Sequence, residues 1–283
     1  MPPISLVVCV YRERELLERL LAVATGCFDD LVVVHDGPDS TGVRSLVEAA
    51  GGRFFERPRA YQQEPHWPFA WEQAAHDWIL RLDADEFPSE ELKSWLQEFR
   101  RGNDPLESVP GYTCIWPLWD GNRETTRQWP DGRNFLFHRQ RVRFFGMVEA
   151  VPIPDGRWMA VPLVLRHQPR RKSYGVVNLV FRKQAYHWRR VIALSLLEPV
   201  NRLPCWRWTS PEWPGIWQEV RRNPMRTAVR RLVMGPIRQG REMWRKEHTV
   251  LPSALLGTGL HQCLIAVTFF FFHRRFGKKL PKP

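Results

Sequence analysis

The residues best suited to chemistry are the acidic run Asp83-Ala84-Asp85-Glu86, which directly follows the apolar segment Trp78–Leu82. Because side chains alternate along an extended strand, Asp83 and Asp85 are expected to point the same way. Two convergent carboxylates repel each other unless a positive group lies between them, and a hard divalent cation on a diphosphate is a suitable occupant. The same pattern also occurs in solvated turns, so its meaning depends on its neighbours.

Two earlier apolar segments also end in residues that could contact a ligand. Ile4–Tyr11 is a continuous run rich in β-branched residues, and Leu31–Val34 is a second one, followed by His35-Asp36-Gly37. Runs of this kind are typical of strands buried on both faces of a parallel sheet. In such sheets, ligands bind beyond the carboxyl ends of the strands. The sequence therefore predicts that the ends of the three segments meet in one cleft.

Helical periodicity separates these strands. Leucines recur on one face over residues 13–25, and further helices are expected over about 41–50 and 69–76. Alternating strands and helices joined by short loops predict an α/β fold with a mostly parallel sheet and flanking helices. Residues 103–175 are richer in Gly, Pro and aromatics, which predicts antiparallel strands and loops. From 176 onward the pattern is helical, with two basic helices expected over 218–247, separated at Gly235-Pro236.

The charge is distributed unevenly. Residues 1–100 carry 10 Lys and Arg against 18 Asp and Glu, a net of −8, whereas residues 101–283 carry 32 against 12, a net of +20. This division predicts an acidic part able to hold a metal and a basic part that faces an anion, such as nucleic acid, phospholipid headgroups or a phosphorylated glycan. The hydrophobic content of 43% excludes a disordered protein.

The five cysteines indicate a reducing compartment. They are odd in number, scattered and never in C-x-x-C spacing, so neither a structural zinc site nor a disulfide framework is expected. The apolar stretch at Ile4–Val10 is short, lacks a basic flank before it and runs into Arg12-Glu13-Arg14-Glu15, which is unlike a signal peptide. A cytoplasmic location is therefore expected.

Residues 250–272 form a nearly uncharged segment followed by His273-Arg274-Arg275 and Lys278-Lys279. Its length would just span a bilayer. Because it contains Pro252, two glycines, His261 and Gln262, an interfacial segment anchored by the basic residues is the favoured interpretation. A buried helical hairpin and a true membrane span are the alternatives.

Three segments of the N-terminal part together resemble family 2 glycosyltransferases of the GT-A fold. They are Ile4–Arg12 with the leucine-rich helix after it, Leu31–Thr41, and Trp78–Phe87. The resemblance is greatest to the bacterial branch that adds glucose or similar sugars to lipopolysaccharide cores. In that branch a later Arg-x-x-x-x-Gly segment and a hydrophobic tail recur, and Arg141–Gly146 and Leu251–Phe272 would be their counterparts here.

The resemblance implies a nucleotide-diphosphate sugar, commonly a UDP-sugar, as the donor. Asp36 would accept a hydrogen bond from the base, the Tyr11 region would back the nucleotide, and Asp83 would contact ribose or sugar. Asp85 would ligate Mg²⁺ or Mn²⁺ across the diphosphate, and His167 would complete the metal or phosphate site. A structural role for His167, and a plain turn role for Asp36, are the alternatives.

Inverting transfer needs a carboxylate that deprotonates the acceptor hydroxyl. Glu149 is the first candidate, because it follows a strand-like segment in the region where the family places acceptor-site acids. The related branch usually reads Val-His-Glu there, whereas this chain reads Val148-Glu149 without the histidine. Glu86 is the second candidate, although it could instead cap the helix that begins near Ser89.

These inferences predict a nucleotide-sugar-binding half over 1–102, an acceptor-binding half over 103–187 and a basic helical region over 188–283. The expected partners are a nucleotide-diphosphate sugar, a glycan or glycolipid acceptor and the anionic inner face of the cytoplasmic membrane, where the protein would be peripheral. No nucleic acid is expected, since no such binding motif is present. The alternatives are a nucleotidyltransferase on a similar fold and a non-catalytic module that binds membranes or nucleic acid.

Overall fold

The computed structural model describes residues 2–102, 109–129, 132–248 and 250–276. The chain divides into two compact units. The first contains the described residues up to Leu118, together with Arg123–Pro169 and Pro204–Arg207. The second contains Trp119–Asn122, Arg170–Leu203 and the described residues from Trp208 onward.

The first unit consists of strands and helices that alternate as far as residue 100 and of strands beyond it. Its helices are α1 (Arg14–Val23), α2 (Val43–Ala49), α3 (Trp67–Gln73) and α4 (Glu90–Arg100). The strands are β1 (Ile4–Val10), β2 (Asp30–Asp36), β3 (Arg53–Arg57), β4 (Trp78–Arg81), β5 (Glu86–Pro88), β6 (Gly111–Ile115), β7 (Pro117–Trp119), β8 (Glu124–Gln128), β9 (Arg133–His138), β10 (Val142–Arg143), β11 (Ile153–Pro154) and β12 (Met159–His167).

Eight of these strands form one sheet in the order β3-β2-β1-β4-β9-β6-β12-β5. Strands β1 to β4 are parallel to one another, β9 runs antiparallel to both β4 and β6, and β5 runs antiparallel to β12. The predicted mostly parallel α/β fold is confirmed. Strand β1 is buried along its whole length, as its unbroken apolar sequence requires.

The order of the strands places the site. Because β1 lies between β2 and β4, with Val10 opposite His35 and Val7 opposite Arg81, the carboxyl ends of these three strands are neighbours. The antiparallel strand β9 follows β4, with Leu136 opposite Leu80, so the residue that opens β9 lies beside the residues that follow β4.

The second unit is helical. After a π-helical turn at Val177–Phe181, it contains α5 (Lys183–Ser195), α6 (Gly215–Arg222), α7 (Pro224–Glu247) and α8 (Pro252–Phe276). Helices α7 and α8 pack as an antiparallel hairpin: Gly240 lies against Leu255, and Gly259 lies against Pro236. Within α8, His261 is buried, and its Nδ1 lies 3.5 Å from Arg189 Nη1 of α5.

The prediction of two helices separated at Gly235-Pro236 is wrong, because α7 continues through both residues. A proline inside a helix removes one backbone hydrogen bond and usually kinks or ends the helix. Here the ring of Pro236 packs against Gly259, where an added Cβ would lie only 2.7 Å from the Pro236 Cγ. Packing against α8 thus supports the helix at the position where local sequence favours a break.

By length and composition, α8 could cross a membrane, and 39% of its most apolar window is buried within the protein. Its buried residues include Leu255, Ile265 and Phe269. The tail forms one continuous helix, so the alternative in which residues 250–272 fold as a buried helical hairpin is wrong. The flanking residues Lys278 and Lys279 lie outside the described residues.

Candidate active site

The acidic run forms a tight turn at the carboxyl end of β4. The Glu86 backbone N–H donates to the Asp83 carbonyl over 3.0 Å, and the Asp83 N–H donates to Glu86 Oε2 over 2.9 Å. Asp83 and Asp85 keep 18% and 19% side-chain exposure, whereas Glu86 is fully buried. The turn therefore keeps two carboxylates partly exposed and holds the third inside the protein.

Arg133, the first residue of β9, pairs with two of these carboxylates. Its Nη2 lies 2.9 Å from Asp83 Oδ2, and its Nε lies 2.8 Å from Glu86 Oε1. Burial raises the pKa of Glu86 to about 7, although Arg133 opposes the shift. Burial also lowers the pKa of Arg133, but attraction to Asp83 and Glu86 outweighs it, so the net pKa is raised and the guanidinium stays charged.

A second guanidinium, that of Arg81, lies inside the sheet near the same group. Arg81 is 1% exposed, its Nη2 donates to the Asn134 carbonyl over 2.8 Å, and its guanidinium carbon lies 4.3 Å from the centre of a Trp67 ring. Burial, with repulsion from Arg133, lowers its pKa to about 9. At neutral pH Arg81 therefore remains a cation beneath the acidic turn.

The two residues predicted to ligate metal, Asp85 and His167, lie together. Antiparallel pairing of β12 with β5 sets His167 opposite Glu86, and His167 Nε2 lies 3.7 Å from Asp85 Oδ2. The imidazole stacks on Trp116 with ring centres 4.6 Å apart. The backbone N–H of Gln168 donates to the Asp85 carbonyl over 2.8 Å, which fixes the two segments to each other.

The electrostatics of this pair suit a cation. Burial, with repulsion from Asp83, Glu86 and Glu13, raises the pKa of Asp85 well above its ordinary value. Burial lowers the pKa of His167 to about 4, so at neutral pH the imidazole is uncharged and able to ligate a metal. The described residues contain no cluster of three or more His, Cys, Asp or Glu able to hold a metal ion. Metal ligation by Asp85 and His167 stays a prediction, in which these two residues would leave the remaining positions of the cation to other ligands.

Asp36 and Tyr11, the residues predicted to contact the nucleotide, are joined by Arg59. The Arg59 guanidinium lies 3.2 Å from the centre of the Tyr11 ring, and its Nη1 lies 2.6 Å from Asp36 Oδ2. Oδ1 of Asp36 is contacted by His66 Nε2 at 2.8 Å and by the Ala60 N–H. Although burial acts to raise the pKa of Asp36, the hydrogen bond to His66 and the other partners lower it on balance, so the carboxylate stays ionised.

The two groups of residues meet around the end of β1. Cys9 is buried there, and its thiol pKa is raised well above the ordinary value by burial and by the charges of Asp83, Glu64 and Asp36. The three carboxylates come from different segments of the chain, and all of them lie near enough to Cys9 to affect the pKa of its thiol. The prediction that the strand ends form one site is supported by this placement.

The candidate base Glu149 lies at the same site and is exposed. Its backbone is in the left-handed region with φ of 64°, and its N–H donates to Glu64 Oε1 over 3.0 Å. Burial raises the pKa of Glu64 to about 7, and Asp83 and Glu149 add to the shift. Gly146 lies against the Glu64 backbone, since an added Cβ would be 3.2 Å from the Glu64 carbonyl oxygen. The predicted Arg141–Gly146 segment thus brings Glu149 to the cleft.

The other candidate base, Glu86, has a different position. Its carboxylate is fully buried, faces Arg133 and accepts the Asp83 N–H. The alternative in which Glu86 caps the next helix is wrong, because the side chain of Ser89 accepts the Leu92 N–H at the start of α4. Its contacts suit Glu86 to holding Arg133 and the turn, which leaves Glu149 as the better-placed base.

Sequence reasoning missed four residues of the site: Arg59, Glu64, Arg81 and Arg133. One of them left a signal, since Arg81 is a charged residue within the otherwise apolar run Trp78–Leu82. A buried charge in a strand needs a partner nearby. The other three lie in loops or at a strand start, where polar residues are common.

A comparison with known protein families assigns the chain to one of them. The sequence model of Glycosyl transferase family 2 matches residues 5–163, which is more than half of the chain. The chain belongs to glycosyltransferase family 2. The matched region contains Asp36, Asp83 and Asp85 as well as Glu149, so the acidic cleft lies within the family domain. No curated protein sequence matches the chain significantly.

Solved structures of Staphylococcus aureus TarS show a distant likeness. One TarS crystal structure has a TM-score of 0.40 and 12% identity, over 69% of this chain and 40% of that one. TarS 1–349 has a TM-score of 0.42 and 10% sequence identity, and the match covers 99% of this chain and 93% of that one. TarS 1–349 in complex with UDP has a TM-score of 0.41 and 12% sequence identity, and the match covers 97% of this chain and 92% of that one. Likenesses at this level do not identify a donor or an acceptor for this glycosyltransferase.

Removing the guanidinium of Arg133 should destabilise the glycosyltransferase. In Arg133→Met, Glu86 stays buried without its partner, and losing one member of a buried ion pair costs about 3 kcal/mol or more. Guanidinium chloride unfolding measures the loss, and Arg133→Met combined with Glu86→Met should recover part of it. Arg166→Met is the matched control, because Arg166 is half exposed and lies 3.6 Å from Glu124. Equal losses in Arg133→Met and Arg166→Met would contradict the buried pairing.

Glu64 should make stability depend on pH. The pKa of Glu64 is about 7 in the folded protein, whereas its ordinary value is 4.5. The contribution of Glu64 to the free energy of unfolding is therefore fully present below pH 4.5 and is lost as the pH rises through 7. Relative to Glu64→Gln, the wild type should lose about 1–3 kcal/mol of unfolding free energy between pH 5 and pH 8. Urea unfolding at each pH measures this difference. The exposed-site control Glu90→Gln should follow the wild type, and a Glu64→Gln curve parallel to the wild type would refute the shift.

Proposed function

We propose that the protein is a metal-dependent, inverting glycosyltransferase that uses a UDP-sugar and acts on a lipopolysaccharide-type or other cell-surface glycan. The observation that carries this proposal is that Asp36 and the Asp83–Asp85 turn follow neighbouring strands, while the pairing of β12 with β5 brings His167 to Asp85. Each of these groups suits one part of a nucleotide-diphosphate sugar. The family assignment supports the reaction class, glycosyl transfer. The residues of the site support the choice of donor, cation and base.

Asp36 is suited to bind the base. A carboxylate has about four acceptor positions, and those of Asp36 receive Arg59, His66 and the Ala60 N–H. Oδ2 therefore keeps a lone pair for a further N–H donor. Uracil offers its N3–H, whereas cytosine and adenine have no ring N–H on that edge. Tyr11, held against Arg59, would back the nucleotide.

Asp83 and Asp85 are suited to the ribose and the diphosphate. Asp83 Oδ2 pairs with Arg133, while Oδ1 is buried and accepts no hydrogen bond from the described residues, so it can accept one from a sugar hydroxyl. Asp85 and His167 would hold Mg²⁺ or Mn²⁺. A bound divalent cation would neutralise the charge that develops on the leaving diphosphate.

Glu149 is suited to act as the base. Inversion requires the acceptor oxygen to attack the anomeric carbon from the face opposite the diphosphate while a carboxylate takes the hydroxyl proton. Glu149 is exposed, and Glu64 holds its backbone through the 3.0 Å hydrogen bond. The Glu149 carboxylate takes the proton as the new glycosidic bond forms, and the nucleoside diphosphate leaves.

The acceptor and the place of action rest on the C-terminal part. The Arg141–Gly146 segment and the apolar tail are the features that resemble the lipopolysaccharide-core branch. The net charge of +20 over residues 101–283 suits an acceptor or a surface that carries phosphates. We therefore place the enzyme at the inner face of the cytoplasmic membrane, acting on a lipid-linked acceptor.

Donor binding tests the proposal. UDP-sugars, but not ADP- or CMP-sugars, should stabilise the protein against heat by about 2.7 kcal/mol at a hundredfold excess over Kd, and more so with Mn²⁺. Asp36→Asn should abolish the effect, and Asp85→Asn should abolish only the Mn²⁺ increment. Glu90→Gln, which removes an exposed carboxylate of α4, is the control. No shift with UDP-sugars, or a shift with GDP-sugars alone, would contradict the donor proposal. Salt-sensitive binding of generic DNA without any donor binding would favour the binding module.

The role of Glu149 has its own test. Glu149→Gln should reduce turnover of the stabilising UDP-sugar by about 10²–10⁴ while leaving its thermal shift unchanged, because a base acts on the acceptor and not on the donor. Release of UDP measures turnover, with water or a glycolipid extract as acceptor. If Glu149→Gln turns over normally and Glu64→Gln does not, the base is Glu64.

A further inference from the structure

Helix α7 carries an exposed apolar stripe along one side. Met225, Val229, Val233 and Ile237 recur at every fourth residue, and Trp244 continues the same side. Residues spaced in this way lie on one face of a helix. Their exposures are large: 46% for Met225, 62% for Val229, 52% for Val233, 44% for Ile237 and 59% for Trp244. An exposed apolar surface of this kind usually marks an interaction site.

Basic residues border the stripe. The exposed arginines of α7 are Arg226, Arg230, Arg238, Arg241 and Arg245. Arg226 and Arg230 each follow a stripe residue directly, which sets them about 100° further round the helix. Within α7 the acidic residues are Glu242 and Glu247, and Glu242 pairs with Arg238. The face therefore combines exposed apolar side chains with a marked excess of positive charge.

Part of α7 is fixed within its own unit. Thr227, Ala228 and Arg231 are buried on the side away from the stripe, and in the second half of the helix Met243 is buried and α8 packs against Pro236 and Gly240. The apolar residues of α8 that are buried serve this packing, so α8 does not present its full apolar surface outward. The α7 stripe with its arginines stays exposed and is available to an external partner.

We propose that this face of α7 is a docking surface for an anionic phospholipid bilayer, on which the helix lies parallel to the membrane plane. An apolar face bordered by arginines is the pattern of helices that bury their apolar side at the level of the headgroups. The arginines match the phosphates of anionic lipids, which attract basic segments near the surface. The inference builds on the membrane-face location of the proposed function and assigns it to α7 in place of the tail.

Vesicle co-sedimentation of the full chain tests the surface. The wild type should bind vesicles of 70% phosphatidylcholine and 30% phosphatidylglycerol, bind pure phosphatidylcholine much less, and release from the mixed vesicles in high salt. Arg241→Gln with Arg245→Gln should lower the partition coefficient about 10- to 30-fold. Val229→Gln with Val233→Gln should lower it at least tenfold.

The matched control removes exposed apolar residues from other helices of the same unit. Leu194 of α5 and Leu256 of α8 are 45% and 53% exposed, and Leu194→Gln with Leu256→Gln should bind as the wild type does. Thermal unfolding and the UDP-sugar shift should be unchanged in both α7 double variants, which shows that they fold.

Two outcomes would overturn the docking surface. One is that the wild type and both α7 double variants bind the mixed vesicles equally. If that binding also survives high salt and alkaline carbonate, it is the result that a membrane-spanning α8 would give. The other is a wild type that does not bind these vesicles. Failure of the donor proposal is separate, because Asp85→Asn should still sediment with vesicles as the wild type does.

Discussion

The pairing of Arg133 with Asp83 and Glu86 is the interaction on which the candidate active site depends. Three carboxylates follow β4 within four residues, and Glu86 is wholly buried. Without a cation they would repel one another or take up protons. Arg133 reaches them because β9 inserts antiparallel beside β4, with Leu136 opposite Leu80. The charge balance of the cleft is therefore set by a strand pairing between segments more than fifty residues apart in the sequence.

This balance also explains why a cation suits Asp85. Arg133 lies against Asp83 and Glu86 at 2.9 and 2.8 Å, while burial, together with the neighbouring carboxylates, raises the pKa of Asp85. The neighbouring His167 is uncharged, since burial lowers its pKa to about 4. A positive ion between Asp85 and His167 would relieve the repulsion without displacing Arg133. Under the proposed function, a bound donor with its cation would complete the electrostatics of the site.

The sequence alone predicted the parts of this structure that depend on local pattern. The apolar runs of β1, β2 and β4 located three strand ends, and alternation with helices predicted a mostly parallel sheet, which placed Tyr11, Asp36 and Asp83 together. Arg59, Arg133 and Glu64 could not be found in this way, because their importance lies in tertiary partners: Arg59 joins Tyr11 to Asp36, and Arg133 comes from a distant strand. Buried charges are recognised by what surrounds them, and a linear pattern does not contain that information.

The wrong prediction at Gly235-Pro236 has a structural consequence. Local propensity ends a helix at such a pair, yet Gly259 lets α8 approach the Pro236 ring closely and α7 continues. Because the helix does not break, Ile237 and Trp244 fall on the same side as Val229 and Val233, and the arginines on both sides of the proline border one stripe. Two separate helices would each carry a short apolar patch, which would hold a bilayer surface weakly. The glycine of α8 therefore determines the length of the exposed face on α7, and in this way packing inside the unit shapes the surface outside it.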